Sequence, residues 1–138
     1  MNKFMNIAIK EAIKAKNKGD VPVGATIVLG NRIISKAHNK KEHNKNATKH
    51  AEIIAISKAC KKIHSWHLDN CTIYCTMEPC MMCCGALLQS RIKKVVYLVK
   101  NEKYGCTHLI KNSKIEFIEM KDNIEMKKIL NDFFQLKR

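Results

Sequence analysis

Arginine is scarce in this strongly basic chain: only Arg32, Arg91 and Arg138 are arginine among 26 cationic side chains, and the rest are lysine. The first 18 residues are basic and amphipathic, yet they hold no arginine and are interrupted by Glu11. That excludes the Arg-rich, acid-poor character of a transit peptide, and the segment reads as part of the fold. Long apolar runs are also missing. Nothing approaches the ~20 residues of a membrane span, which predicts a soluble protein. There is no repeat, linker or low-complexity tail, and 138 residues suit one domain with one core. The seven cysteines are odd in number, partly clustered and unaccompanied by a signal peptide. Reduced thiols with a metal site in a cytoplasmic protein fit that pattern better than a disulfide framework.

The charge is present in excess, at +14 with a pI near 9.6. A field of this sign favours polyanionic partners and salt-dependent binding. Lysine, asparagine and isoleucine together are also what an AT-biased coding sequence produces, so charge alone does not decide for nucleic acid.

Hydrophobic spacing predicts nine elements. Phe4, Met5, Ala8, Ala12, Ile13 and Ala15 recur at helical spacing, with Gly19 as a stop. Val21 to Leu29 and Arg32 to Ala37 form a hairpin about Gly30-Asn31. The polar run His38 to Lys49 is a long surface loop, of the kind usually kept for function. A helix opens at His50, with Thr48 as N-cap and an apolar face of Ile53, Ile56, Ala59, Cys60 and Ile63. Cys71 to Thr76 is a strand, Met77-Glu78-Pro79 a turn, and Cys80 to Gln89 a helix started by the proline. Strands follow at Val95 to Val99 and Ile115 to Ile118, separated by a loop from Asn101 to Cys106. A last helix runs from Ile124 to Leu136 with Ile129, Leu130, Phe133 and Phe134 inside. The order α-β-β-α-β-α-β-β-α is that of a sheet covered by helices on both faces.

Two half-motifs fall at the starts of adjacent helices: His50-Ala51-Glu52 and Pro79-Cys80-Met81-Met82-Cys83. Partial positive charge at helix N-termini favours the thiolates that bind metal. Cys80-x-x-Cys83 alone serves structural zinc, redox chemistry or catalysis. Cys84 is a fourth ligand for a closed site, but the next residue on a helix points about 100° away, toward the core. With His50 the pair makes three ligands for Zn2+ and leaves a position open, as catalytic sites do. Glu52, two residues beyond the histidine, is placed to move protons. His-x-Glu with Pro-Cys-x-x-Cys is the signature of zinc-dependent nucleobase deaminases, in which the glutamate is acid and base rather than ligand. His38, His43, His64, His67 and His108 read as solvated loop or strand-end residues. Trp66 reads as a packing residue.

The chain resembles the bacterial-type tRNA adenosine deaminases, within the cytidine-deaminase-like superfamily, over nearly its whole length. The resemblance rests on Asp20-Val21-Pro22-Val23-Gly24-Ala25, His38-Asn39, His50-Ala51-Glu52, Thr72 through Ala86, and Ser90-Arg91-Ile92. It implies a three-layer α/β/α sandwich with a mixed five-stranded sheet, one Zn2+ per subunit, a homodimer, and conversion of a tRNA wobble adenosine to inosine. It also implies that Val23 lines the base pocket, that Asn39 hydrogen-bonds the flipped base, and that Phe133, Phe134, Lys137 and Arg138 approach the anticodon loop. Three positions depart from the family pattern. Lys49 stands where a small residue is usual, Asn101 replaces an acidic residue that contacts nucleic acid, and the segment from Gly105 to Ile115 is shorter. Two other classes stay open at this level: a deaminase of free guanine or cytosine, and a non-catalytic RNA-binding module with structural zinc.

Overall fold

The computed structural model describes residues 2–136. The first helix, α1 (Lys3–Asn17), is capped by the Asn2 side chain, which accepts from the N–H groups of Phe4 and Met5 at 2.7 and 3.2 Å. It buries Met5, Ala8, Ala12 and Ala15 as the spacing predicts, but Ile9 takes the inward position and Ile13 faces out.

The hairpin forms from β1 (Gly24–Leu29) and β2 (Arg32–His38), with Gly30 at φ +63° in the turn. Val21 to Val23 does not join β1, contrary to expectation. Pro22 has no N–H for a ladder, and the Val23 N–H folds back onto the Val21 carbonyl at 2.8 Å. Gly24 then lies flat against α1. A Cβ there would stand 2.0 Å from the Ala8 carbonyl oxygen and 2.7 Å from the Ala12 nitrogen, so no other residue fits.

The remaining elements are α2 (Ala51–Ile63), β3 (Cys71–Met77), α3 (Met81–Gln89), β4 (Lys94–Val99), β5 (Glu116–Glu119) and α4 (Ile124–Leu136). A short 3-10 turn at Thr107–Leu109 was not foreseen. The strands form one sheet in the order β2-β1-β3-β4-β5. The β2-β1 and β1-β3 pairs are antiparallel, and the β3-β4 and β4-β5 pairs parallel. Side chains alternate across it. Ile73, Cys75, Val95 and Tyr97 pack with α2 and α3 on one face, while Tyr74, Val96 and Leu98 pack with α1 and α4 on the other. The fold is thus the mixed-sheet α/β/α sandwich.

Several local expectations change. The innermost residues of α2 are Ala51, Glu52, Ala55 and Ala59, and the three alanines let the helix lie close to the sheet, with Ile56, Cys60 and Ile63 along its flank and Ile53 half-buried outside that cluster. Thr48 does not cap α2, because its hydroxyl is turned to the Asn46 side chain at 2.7 Å. His38 is not solvated. It ends β2 beneath α1, with Nδ1 3.0 Å from the buried Glu11 carboxylate. Trp66 is 58% exposed and packs only on the surface, against His67 and the Arg91 guanidinium.

Candidate active site

His50 and Cys80 occupy the N-cap positions of α2 and α3, with extended backbones and no side-chain bond to their own helices. Both side chains are therefore available to a third party. Cys83, one helical turn beyond Cys80, joins them: each sulfur lies 3.6 Å from His50 Nδ1, and the three donor atoms lie within 4.8 Å of one another. Tetrahedral zinc, with bonds of ~2.3 Å to sulfur and ~2.0 Å to nitrogen, holds such ligand atoms roughly 3.5 Å apart. The donor set and its spacing fit the ion. Cys84 is turned away, its sulfur 3.6 Å from the Pro79 carbonyl in the core, which leaves three donors grouped there among the described residues.

The electrostatics support metal binding at Cys80. A hydrogen bond from the Cys83 thiol, opposed by burial and aided by the His50 imidazole, holds the Cys80 thiol down to about 3. The His50–Cys80 contact raises His50 above its usual range, and the Cys83–Cys80 contact, with burial, pushes Cys83 up. Metal binding displaces these shared protons.

Glu52 sits in the first turn of α2, 3% exposed. Its Oε1 has no hydrogen-bond partner among the described residues. Burial is the main cause that lifts its carboxyl to about 7, with the His50 charge opposing. An acid poised near neutrality, with a free oxygen beside three metal donors, is suited to accepting and returning a proton.

His50, Glu52 and Cys80 line a cleft of about 1220 Å³, larger than the ~300–1,000 Å³ usual for small ligands, with Cys83 buried behind them. Val23 and Asn39 form part of its wall. Asn39 Oδ1 accepts the Ala51 N–H at 2.8 Å and so takes over the cap assigned to Thr48. Asn101 also lines the cleft, but its side-chain oxygen closes its own turn by accepting the Tyr104 N–H at 3.0 Å. Phe134 lines the cleft at 47% exposure. Phe133, expected beside it, is 7% exposed and packs inward, since adjacent helix residues cannot share a face. Lys137 and Arg138 lie outside the described residues. Lys49 is not among the lining residues; the lysines that line the cleft are Lys41, Lys100, Lys103 and Lys127.

Two buried carboxylates were passed over at the level of sequence. Asp20 accepts from the N–H groups of Glu42 and His43 at 2.9 and 3.1 Å and pins the polar 40–49 loop beside His50. Glu78 does the same for the loop after β4. The signal was there: each is an acid set beside a proline-containing, otherwise apolar stretch, where an unpaired charge would be costly.

A mixed sheet of this order, with three metal donors at two helix starts and a buried glutamate among them, defines a deaminase. The family model of the MafB19-like deaminases matches residues 1–138. The tRNA-specific adenosine deaminase of Bacillus subtilis (strain 168) is 45% identical over 109 residues, 79% of this chain and 68% of that one. Its counterpart from Buchnera aphidicola subsp. Schizaphis graminum is 40% identical over 146 aligned positions, 98% of this chain and 94% of that one. A solved structure from work on A-to-I editing by tRNA:A34 deaminases superposes with a TM-score of 0.87 at 29% identity, covering 93% of this chain and 99% of that one. The chain belongs to the family of the tRNA-specific adenosine deaminases.

Proposed function

We propose that this chain, acting as a single deaminase domain over residues 1–138, hydrolyses the amino group from the wobble adenosine of a tRNA to give inosine. The observation that carries this reading is the convergence of His50, Cys80, Cys83 and an unpartnered Glu52 oxygen beside a cleft too large for a base alone. His50, Cys80 and Cys83 would hold Zn2+, which would supply a Lewis-acidic centre that makes water a competent nucleophile near neutral pH.

Glu52 removes a proton from the attacking water and passes it to the adenine ring nitrogen as oxygen bonds to the amino-bearing carbon. It then delivers the second proton to the amine, and ammonia leaves as the C–N bond breaks. With its oxygen engaged by Ala51, Asn39 offers its NH2 group to the base, and Val23 provides an apolar wall. Lys41, Lys100, Lys103 and Lys127 on the rim meet phosphates, and Phe134 offers a stacking face. A loop base is already unpaired, so extruding it is cheap.

A homodimer fits the exposed face of α3, where Met81 is 69% and Leu88 38% exposed and a second copy would cover them. No helix among the described residues is long and apolar enough to cross a membrane. A role on tRNA assigns the protein to the cytoplasm.

The test is incubation of the zinc-loaded protein with an anticodon-stem hairpin bearing wobble adenosine and, separately, with free guanine and cytosine. Inosine in the hairpin is the expected product. Xanthine or uracil from the free bases, with the hairpin untouched, would overturn the reading in favour of a free-base deaminase.

A further inference from the structure

The turn that leads into Cys80 carries a carboxylate that none of the chemistry above uses. Glu78 is 6% exposed and makes no ion pair among the described residues. Its charge is met instead by donors from one loop. Oε1 accepts the Asn101 N–H at 3.1 Å, and Oε2 accepts the Thr107 N–H at 3.3 Å and the Thr107 hydroxyl at 2.6 Å. Both ends of the 101–107 loop are thus fastened to one side chain.

The loop is built to close on that carboxylate. Gly105 lies so near that a Cβ there would be 2.5 Å from the Glu78 carboxyl carbon, so a side chain would push the loop off. Gly105 also bridges to Cys80, and its N–H bonds the Asn101 carbonyl at 2.9 Å. The outer part of the loop forms a wall of the cleft through Asn101, Glu102, Lys103 and Tyr104. Tyr104 is 61% exposed there, with the Lys103 ammonium 5.3 Å from its ring centre. An exposed aromatic with an adjacent cation suits stacking on an unpaired base beside a phosphate.

We propose that Glu78 is a positioning residue for the RNA: it fixes the 101–107 loop as a wall of the cleft and ties that wall to the metal-ligand turn, without touching the reacting atoms. This rests on the proposed function. Without Glu78 the loop would lose its fastening at both ends and would have to be ordered by substrate, so the loss falls on binding. Glutamine is not an adequate replacement, because its NH2 group would face a backbone N–H on one side.

The experiment compares zinc-loaded wild type with Glu78→Gln, Thr107→Val and Thr107→Ser. It reads zinc content, kcat and KM on the anticodon hairpin, and amide exchange across residues 101–107. For Glu78→Gln, KM should rise about tenfold or more, corresponding to loss of ~1.4 kcal/mol. In the same variant kcat should stay within about threefold and zinc should remain stoichiometric. Exchange should quicken in the 101–107 loop and not in α2. Thr107→Val should move KM and exchange in the same direction by less, and Thr107→Ser, which keeps the hydroxyl, should match wild type. Loss of zinc, a fall in kcat at unchanged KM, or unaltered exchange in the loop would overturn the proposal. If Glu78→Gln does not fold, the Thr107 pair decides it. If wild type leaves the hairpin unreacted, the functional reading fails while the exchange data still judge Glu78.

Discussion

Asn39 Oδ1 accepts the backbone N–H of Ala51 at 2.8 Å, and so joins the residue assigned to the base to the helix that carries Glu52. One side chain thereby caps a helix and faces the cleft. The two duties separate on substitution. Asn39→Asp keeps an oxygen for Ala51 and replaces the NH2 group with an acceptor, so it should retain zinc and the native melting temperature. It should lose roughly 10- to 100-fold in kcat/KM, the effect of one hydrogen bond to substrate left unmade. Asn39→Ala should show the same kinetic loss together with a destabilisation of ~1 kcal/mol from the missing cap. Thermal melts and hairpin kinetics on both variants measure the difference.

Burial, as the main cause, raises the Glu52 carboxyl to about 7. Glu52→Gln should leave zinc bound and reduce kcat by roughly 10²–10⁴-fold, because the variant cannot accept a proton. In wild type the rate should fall as the pH drops through the neutral range, since protonation of Glu52 removes the base. Zinc loss in the variant would instead make Glu52 a ligand.

Thiol reactivity distinguishes an open from a closed metal site. After chelation at neutral pH, Cys80, held as thiolate at about 3, should alkylate first. Cys84, pushed up to about 12 mainly by burial and then by Cys106, should remain inert, as should the fully buried Cys75. Added zinc should protect Cys80 and raise the melting temperature by mass action. Peptide mapping by mass spectrometry reads the order, and equal labelling of Cys84 would indicate a four-ligand site.

The Glu11 cluster predicts acid sensitivity away from the cleft. Burial alone would raise the Glu11 carboxyl, but hydrogen bonds from Lys14 and His38 outweigh it and hold the group below its ordinary 4.5. The unfolded chain therefore takes up a proton in a range where the folded chain does not. The stabilisation is complete above 4.5 and is lost as the pH falls through the lower folded value. Glu11→Gln should be less stable at neutral pH and should lose less on acidification, which urea midpoints across that range will show.

The candidate site was legible in the sequence because its spacing is local: His50 with Glu52 and Cys80 with Cys83 fall in pairs at two helix starts. The short apolar runs Cys71 to Thr76 and Val95 to Val99 likewise gave the two central parallel strands. What escaped were pairings across long sequence separations. His38 read as a loop residue because its partner Glu11 is 27 positions away. Glu78 read as a turn because its acceptors' donors lie 23 and 29 positions downstream. On α2 the predicted Ile56, Ala59, Cys60 and Ile63 do pack on the core, whereas Ala51 and Ala55, whose small side chains carry little hydrophobic signal, lie innermost. Phe133 and Phe134 are indistinguishable by type, and only the docking of α4 separates them.

His50 and Cys80 each stand at a helix start without capping it. Asn39 makes good the first omission, and no side chain of Cys80 makes good the second. A metal ion held by Cys80 would give the start of α3 the anchor that other helices draw from serine or aspartate. Metal loading would then be a step in maturation of the fold: chains without the ion would open at that helix start and present the Pro79 turn to proteases, and loaded chains would not.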